Sequence, residues 1–291
     1  MKKVLLLLIV CVLIGCSENR YHIDETTNPT DTLFYLKNDM SLLNGVVFNE
    51  FGDVGLFKNG ERDGLHRKWF ENGQLEEEVN YINGLRNGLY KYWYENGQLM
   101  NDGEGNRWYQ NGQLEYEGNQ WNGLYKEWYD NGQLKKEGNY KNGYTIELKE
   151  WYRNGQLEKE SNYNDDGMRT IKRWSESGQL NYEDYNDGVV RTFKFWYENG
   201  QLKSENYNDD SLGIKNIKQW YENGQLEYER NYKDDKLDGL LKQWYENGQL
   251  ENLYNYKDGL KNELCMWWFE NGQLISELNY DNGLLIKEKF Y

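Results

Sequence analysis

Through most of the chain, short runs in which apolar and polar residues alternate are broken at regular intervals by Asn-Gly. In one such stretch Leu240-Leu241-Lys242-Gln243-Trp244-Tyr245-Glu246 leads into Asn247-Gly248, and Gln249-Leu250-Glu251-Asn252-Leu253-Tyr254-Asn255-Tyr256 leads away. Alternation with period two belongs to a strand, and Asn-Gly between two such runs is the strongest short-range hairpin signal. A type I′ turn needs positive φ at both central residues, which Asn and Gly tolerate. A two-residue loop predicts Glu246 opposite Gln249, Tyr245 opposite Leu250 and Trp244 opposite Glu251. One face then carries Tyr245, Leu250 and Tyr254, and the other carries Trp244, Gln249 and Glu251, so tryptophans alternate mostly with polar groups. A four-residue turn would change which residues face each other.

The pattern repeats. Gly-Gln-Leu recurs at Gly73, Gly97, Gly112, Gly132, Gly155, Gly178, Gly200, Gly224, Gly248 and Gly272, and nine of these ten glycines follow Asn, the exception being Ser177-Gly178. Four residues before each stands a tryptophan: Trp69, Trp93, Trp108, Trp128, Trp151, Trp174, Trp196, Trp220, Trp244 and Trp268. These are structural positions first and binding positions second. Second turns follow at Asn83-Gly84, Asn122-Gly123, Asn142-Gly143, Asp166-Gly167, Asp187-Gly188, Asp258-Gly259 and Asn282-Gly283, with longer versions at 208–213 and 234–239. Insertions therefore collect on one edge and the tryptophan-side edge stays regular. The predicted fold is all-β: an elongated single-layer antiparallel sheet of about ten tandem hairpins, each leaning on its neighbours because a lone hairpin is marginal in water.

The ends differ from the middle. Residues 41–60, with Val46, Val47 and Phe48, read as a degenerate capping hairpin, 61–283 as the repeats, and 284–291 as a closing strand. The spacing of 15 from Gly97 to Gly112 is too short for a full unit, so irregular pairing is predicted at about 101–106. At the start, Lys2 and Lys3 precede the apolar run Val4 to Ile14, too short for a permanent span and suited to an export signal at 1–15. Leu13-Ile14-Gly15-Cys16 resembles a bacterial lipobox, which implies cleavage before Cys16, its acylation, including palmitate, and anchoring to a membrane. Residues 16–40 are polar, hold Pro29 and read as the lipidated N-terminus and a flexible tether. The expected location is the bacterial cell envelope, facing outside the cytoplasm.

Composition narrows the chemistry. Aromatic residues make up 16% of the chain against 37% for all apolar residues, which suits half-exposed strands better than an oily helical core. A formal charge of -15 disfavours nucleic acid and anionic lipid headgroups as partners. Removing 1–15 leaves Cys16 and Cys265, so no intramolecular disulfide forms if Cys16 carries lipid; Cys265 reads as an inert strand residue, with an intermolecular bridge as the alternative. The two histidines, His22 and His66, are too few for a multi-His metal site or a His-based triad spread over the sheet. Asp165-Asp166, Asp209-Asp210 and Asp234-Asp235 lack the spacing of a calcium loop and read as turn formers. No catalytic, cofactor-binding or metal-ligating residues are predicted, no cofactor, and no enzyme.

The pattern Trp-Tyr-Glu-Asn-Gly-Gln-Leu followed by Asn-Tyr-x-Asp-Gly, from about Leu56 to Tyr291, resembles bacterial MORN-repeat variants, in particular the YwqK-like antitoxin family. The resemblance implies a long twisted sheet of hairpins that serves in some members as an antitoxin or immunity partner of a secreted toxin. The export signal departs from a cytoplasmic antitoxin. The expected function is a non-catalytic protein-binding scaffold on the envelope, its partner a basic exported toxin. Alternatives are a glycan-binding or adhesive lipoprotein using Trp and Tyr rows, and a structural envelope spacer.

Overall fold

A computed structural model describes residues 18–291. The export segment at 1–15 and Cys16 lie outside the described residues. Among the described residues the fold is all-β apart from one 3-10 turn, Ile23–Glu25, and the chain divides into two compact units, one ending at Gln113 and one comprising Leu114–Tyr291.

In the first unit, strand Arg20–His22 runs parallel to Gly45–Asn49. From there every strand is antiparallel to the one before it: Gly52–Lys58, Glu61–Trp69, Leu75–Ile82, Leu85–Trp93, Leu99–Asn101 and Arg107–Trp108. Leu43, Val47 and Phe57 are buried, with Tyr21, Phe34, Leu36 and Val54 packed around them. Residues 20–36 are therefore no free tether. Three apolar anchors in a polar segment, Tyr21, Phe34 and Leu36, suffice to fasten it over the first hairpin, and Thr26–Thr27 pairs with Tyr35–Leu36. The short interval at 101–106 closes with a single pair, Arg107 opposite Asn101, and its loop is held by Asp102, which accepts from the Glu104 and Asn106 backbones.

In the second unit the strands from Leu114–Gly118 to Leu284–Phe290 follow one another in chain order, each antiparallel to its predecessor. With one sheet and no second layer, few side chains are fully buried; Ser161, Asp184 and Cys265 are among them. Cys265 is a free thiol opposite Leu278, in keeping with a strand role.

The tryptophan-side turn is not the two-residue type I′ turn that Asn-Gly suggests. Tyr245 N–H donates to the Gln249 carbonyl and Gly248 N–H donates to the Tyr245 carbonyl, both at 2.9 Å. The loop is thus three residues, Glu246-Asn247-Gly248, and only Gly248 has positive φ, at 84°. This is a type I turn followed by a left-handed glycine. The extra residue is absorbed by a bulge beside the tryptophan: Trp244 faces Leu250 while Gln243 faces Asn252. The expected pairing of Trp244 with Glu251 is corrected accordingly, and tryptophan shares its face with leucine. The same shift recurs at Trp128, Trp151, Trp174, Trp196, Trp220 and Trp268. True two-residue turns with both φ positive occur on the opposite edge, at Asn83-Gly84, Asn142-Gly143, Asp258-Gly259 and Asn282-Gly283.

Candidate functional site

What holds one turn to the next decides what the regular edge presents. Asn247 Oδ1 accepts from its own Gln249 N–H at 2.8 Å, and its Nδ2 donates to the Glu270 carbonyl in the following turn at 2.8 Å. Asn72, Asn96, Asn131, Asn154, Asn199 and Asn223 make the same pair of bonds. A second stitch comes from the residue after each tryptophan: the hydroxyls of Tyr94, Tyr129, Tyr152, Tyr197, Tyr221 and Tyr245 donate to the carbonyl of the next repeat's tryptophan at 2.8 to 3.0 Å. Glutamine supplies the third contact. A Cβ on Gly248 would lie 2.8 Å from Gln225 Oε1, and one on Gly224 2.9 Å from Gln201 Oε1, so the glycine is needed for close approach as well as for its φ. Each residue of Trp-Tyr-x-Asn-Gly-Gln thus touches its own turn or the next one.

The ten repeat tryptophans are all half-buried. Nine of them, all but Trp108, stand opposite a leucine across the hairpin, a structural position. The two remaining tryptophans behave differently: Trp267 donates its indole N–H to the Tyr254 hydroxyl, and Trp121 is 65% exposed.

One face carries a row of alternating charge, in the register that a two-residue loop sets beyond the tryptophan. Glu117, Lys126, Glu137, Lys149, Glu160, Lys172, Glu183, Lys194, Glu205, Lys218, Glu229 and Lys242 lie opposite one another on successive strands. Within the hairpins the ion pairs close at 2.9 to 3.5 Å, from Lys126–Glu137 to Lys218–Glu229. Partly exposed pairs of this kind contribute roughly 0.2 to 1 kcal/mol each. The signal was present in the chain: Lys stands two residues before each tryptophan from Trp128 to Trp244, and Glu five residues after each glycine from Gly132 to Gly224.

On the other face Asp184 is 1% exposed in its side chain and receives Arg191 Nε at 2.9 Å, Arg191 Nη2 at 3.0 Å and Arg169 Nη2 at 3.0 Å. Burial by itself pushes its carboxyl pKa up, but the two guanidinium groups outweigh it and the net direction is down. In the first unit His66 is buried between Phe57 and Tyr81, with Nε2 donating to the Leu56 carbonyl at 2.7 Å. Burial, followed by the opposing pull of the Leu56 carbonyl and the repulsion of Arg62, leaves its pKa lowered to about 4. His22 caps the 3-10 turn. Neither imidazole has the company of a metal site among the described residues, and Asp209 spends its carboxylate on the Ser211 and Leu212 backbones of its own turn.

The feature that faces outward is a column of carboxylates. The position before the turn asparagine is Glu198, Glu222, Glu246 and Glu270 in successive repeats, with Glu176 preceding them before Ser177, and all five are exposed. Successive members lie two strands apart, about 10 Å. The field is felt by the phenols beside it. Tyr197, Tyr221 and Tyr245 all have raised pKa values, first from partial desolvation and then from glutamates, Glu227 and Glu222 for the first, Glu227, Glu251 and Glu246 for the second, Glu251 and Glu270 for the third.

Fold and edge together define a tandem β-hairpin repeat protein whose motif residues stitch repeat to repeat. The family model described as MORN repeat variant matches residues 62–83, 86–104, 101–122, 121–142, 144–165, 192–208, 216–234, 237–258 and 264–282, more than half of the chain, and the chain belongs to that family. No curated protein matches it significantly. Among solved structures, one chain of "Crystal Structure of TcdB2-TccC3-TEV" is similar at 11% identity and a TM-score of 0.21, over 85% of this chain and 16% of that one. This chain therefore spans about a sixth of that chain's length, and the likeness carries no argument.

Proposed function

We propose that this protein is an envelope-anchored lipoprotein whose repeat sheet is a non-catalytic scaffold for a basic protein partner. The observation that carries the reading is the column Glu176, Glu198, Glu222, Glu246 and Glu270, set on turns fixed by the motif and, among the described residues, unaccompanied by an equivalent column of cations. Evenly spaced charge of one sign on a rigid edge accelerates encounter with an oppositely charged protein and does so in a salt-dependent way. In this reading Cys16 is acylated after export and the edge works on a membrane outside the cytoplasm; the run of residues 4–14 and the Leu13-Ile14-Gly15-Cys16 motif support it. An exported toxin for which this chain acts as immunity partner, in the manner of YwqK-like antitoxins, fits such a scaffold.

The test is capture from the organism's secreted and envelope fractions with the chain lacking its lipid, at low and high salt. A basic protein retained at low salt, released at high salt, and lost when Glu222, Glu246 and Glu270 are changed together to Gln supports the reading. Equal retention by the triple variant defeats it. Replacing Cys16 by Ala is expected to move the protein out of the membrane fraction; unchanged fractionation removes the anchor from the account.

A further inference from the structure

We propose that the groove where strands Tyr144–Trp151 and Leu157–Tyr163 separate is a carbohydrate subsite, with Trp121 as its stacking platform. It does not depend on the acidic edge and goes beyond the scaffold reading.

Pairing between these two strands ends at Glu147 opposite Asn162. In two hairpins further along the sheet it continues to Val190 opposite Asp209 and to Ile214 opposite Lys233. Here Tyr144, Thr145 and Ile146 instead face Tyr163, Asn164 and Asp165 across a cavity of about 660 Å³. That volume is in the range of small-ligand sites. Tyr144 is 76% exposed at its rim. Lys141 Nζ and Asp165 Oδ2 meet at 3.2 Å across the opening. Asn164 uses its Oδ1 for the backbones of Asp166 and Met168, which leaves its Nδ2 uncommitted among the described residues, and the Asn142 carboxamide likewise makes no bond there.

Beside the groove, across Gly143, lies Trp121. One side of its indole rests on the glycine, where a Cβ would sit 3.1 Å from the ring. Its backbone is fixed by the Gly143 N–H at 2.8 Å and by Asn119 Oδ1 at 3.0 Å, while 65% of the residue stays open to solvent. A large exposed ring on a fixed backbone, with one edge against a glycine, costs hydration and has less freedom to lose on binding than a side chain on a mobile loop. A pyranose presents a C–H face that stacks on such a ring and a rim of hydroxyls that need both donors and acceptors. The groove provides two tyrosines, two carboxamides, a carboxylate and an ammonium. Buried protein–protein contacts are depleted in charged groups, and phosphate-bearing ligands meet a chain of charge -15, so a neutral saccharide fits this lining better than either.

The experiment is a glycan array probed with the full chain, spanning β-glucans, mannans and N-acetylglucosamine oligomers, followed by calorimetric titration of the oligosaccharide that binds. Trp121→Ala is expected to weaken binding about tenfold, the loss of one stacking contact, and Trp121→Phe to restore most of it. Tyr144→Ala is expected to weaken binding with the melting temperature unchanged, which keeps the test open if Trp121→Ala disturbs the turn. No signal from any glycan overturns the proposal, as does binding that neither Trp121→Ala nor Tyr144→Ala alters.

Discussion

The turn asparagines show how one dipeptide performs two tasks. At Asn83 the backbone has φ of 48° and the residue is there for a conformation that few others adopt. Asn223 has no positive φ and is there for its carboxamide, which accepts from Gln225 N–H and donates to the Glu246 carbonyl. Glycine discriminates the two. Asn83→Gly is expected to change stability by less than about 0.5 kcal/mol, while Asn223→Gly loses two hydrogen bonds and gains backbone freedom, costing about 2 kcal/mol in urea unfolding. Equal effects would mean that the side-chain bridge contributes nothing. The sequence could not separate these cases from Asn-Gly alone; the preceding Trp-Tyr-Glu, which adds a loop residue, is what distinguishes them.

His66 makes a second residue-scale prediction. Its pKa is near 6.5 in the unfolded chain and about 4 in the fold, so the fold favours the neutral ring. That contribution is complete above pH 6.5, declines as pH falls toward 4 and is flat below, a change of about 3 kcal/mol. Melting curves between about pH 7.5 and pH 4 are expected to shift less for His66→Gln than for the natural chain. A shift of the same size in both would place the pH dependence elsewhere. Composition identified His66 as one of two histidines, but its burial depends on Gly55, Phe57 and Tyr81 closing around it, which no local pattern reveals.

At the scale of the element, strand existence, hairpin order and the regular edge were all readable, because period-two alternation and repeated glycines report them directly. Register was not. One bulge residue per hairpin turns tryptophan from a polar opponent to leucine, and beyond it the strands return to the register of a two-residue loop, which sets Lys194 opposite Glu205. The row predicts that Lys194→Glu, which sets a third carboxylate between Glu183 and Glu205, lowers unfolding free energy by about 1 to 2 kcal/mol. Adding Glu205→Lys is expected to recover part of the loss, and the recovery should shrink in high salt. Absence of recovery in the double variant would show the two positions to be independent.

For the molecule as a whole, nearest-neighbour stitching means that the repeat is the unit of insertion and loss. Excising 221–244, one period from Tyr221 through Trp244, joins Trp220 to Tyr245 and restores every partner type at the junction. This shortened chain is expected to keep a β circular-dichroism spectrum and a cooperative melt. Excising 226–244, which leaves a turn without its return strand, is expected to broaden or abolish that melt; the same behaviour from both deletions would argue against repeat-by-repeat cohesion. The segment from Arg20 to Leu36 taught the opposite lesson. Its three anchors carry no period, and its order comes from contacts with residues up to Phe57.

The repeat at 174–178 has Ser175 where others have tyrosine and Ser177 where others have asparagine, so neither the Trp196 nor the Glu198 carbonyl receives the usual donor from it. The family model also passes over 166–191. In the same hairpin Asp184 joins Arg169 to Arg191, tying together three strands at mid-sheet. Cohesion lost from the rim is thereby relocated to the interior, and to a bond whose strength depends on ionisation. The two guanidinium groups hold that carboxyl below the ordinary carboxylate range, so the seam slackens only in strong acid, when the one fastening that stands in for the missing amide and phenol takes up a proton.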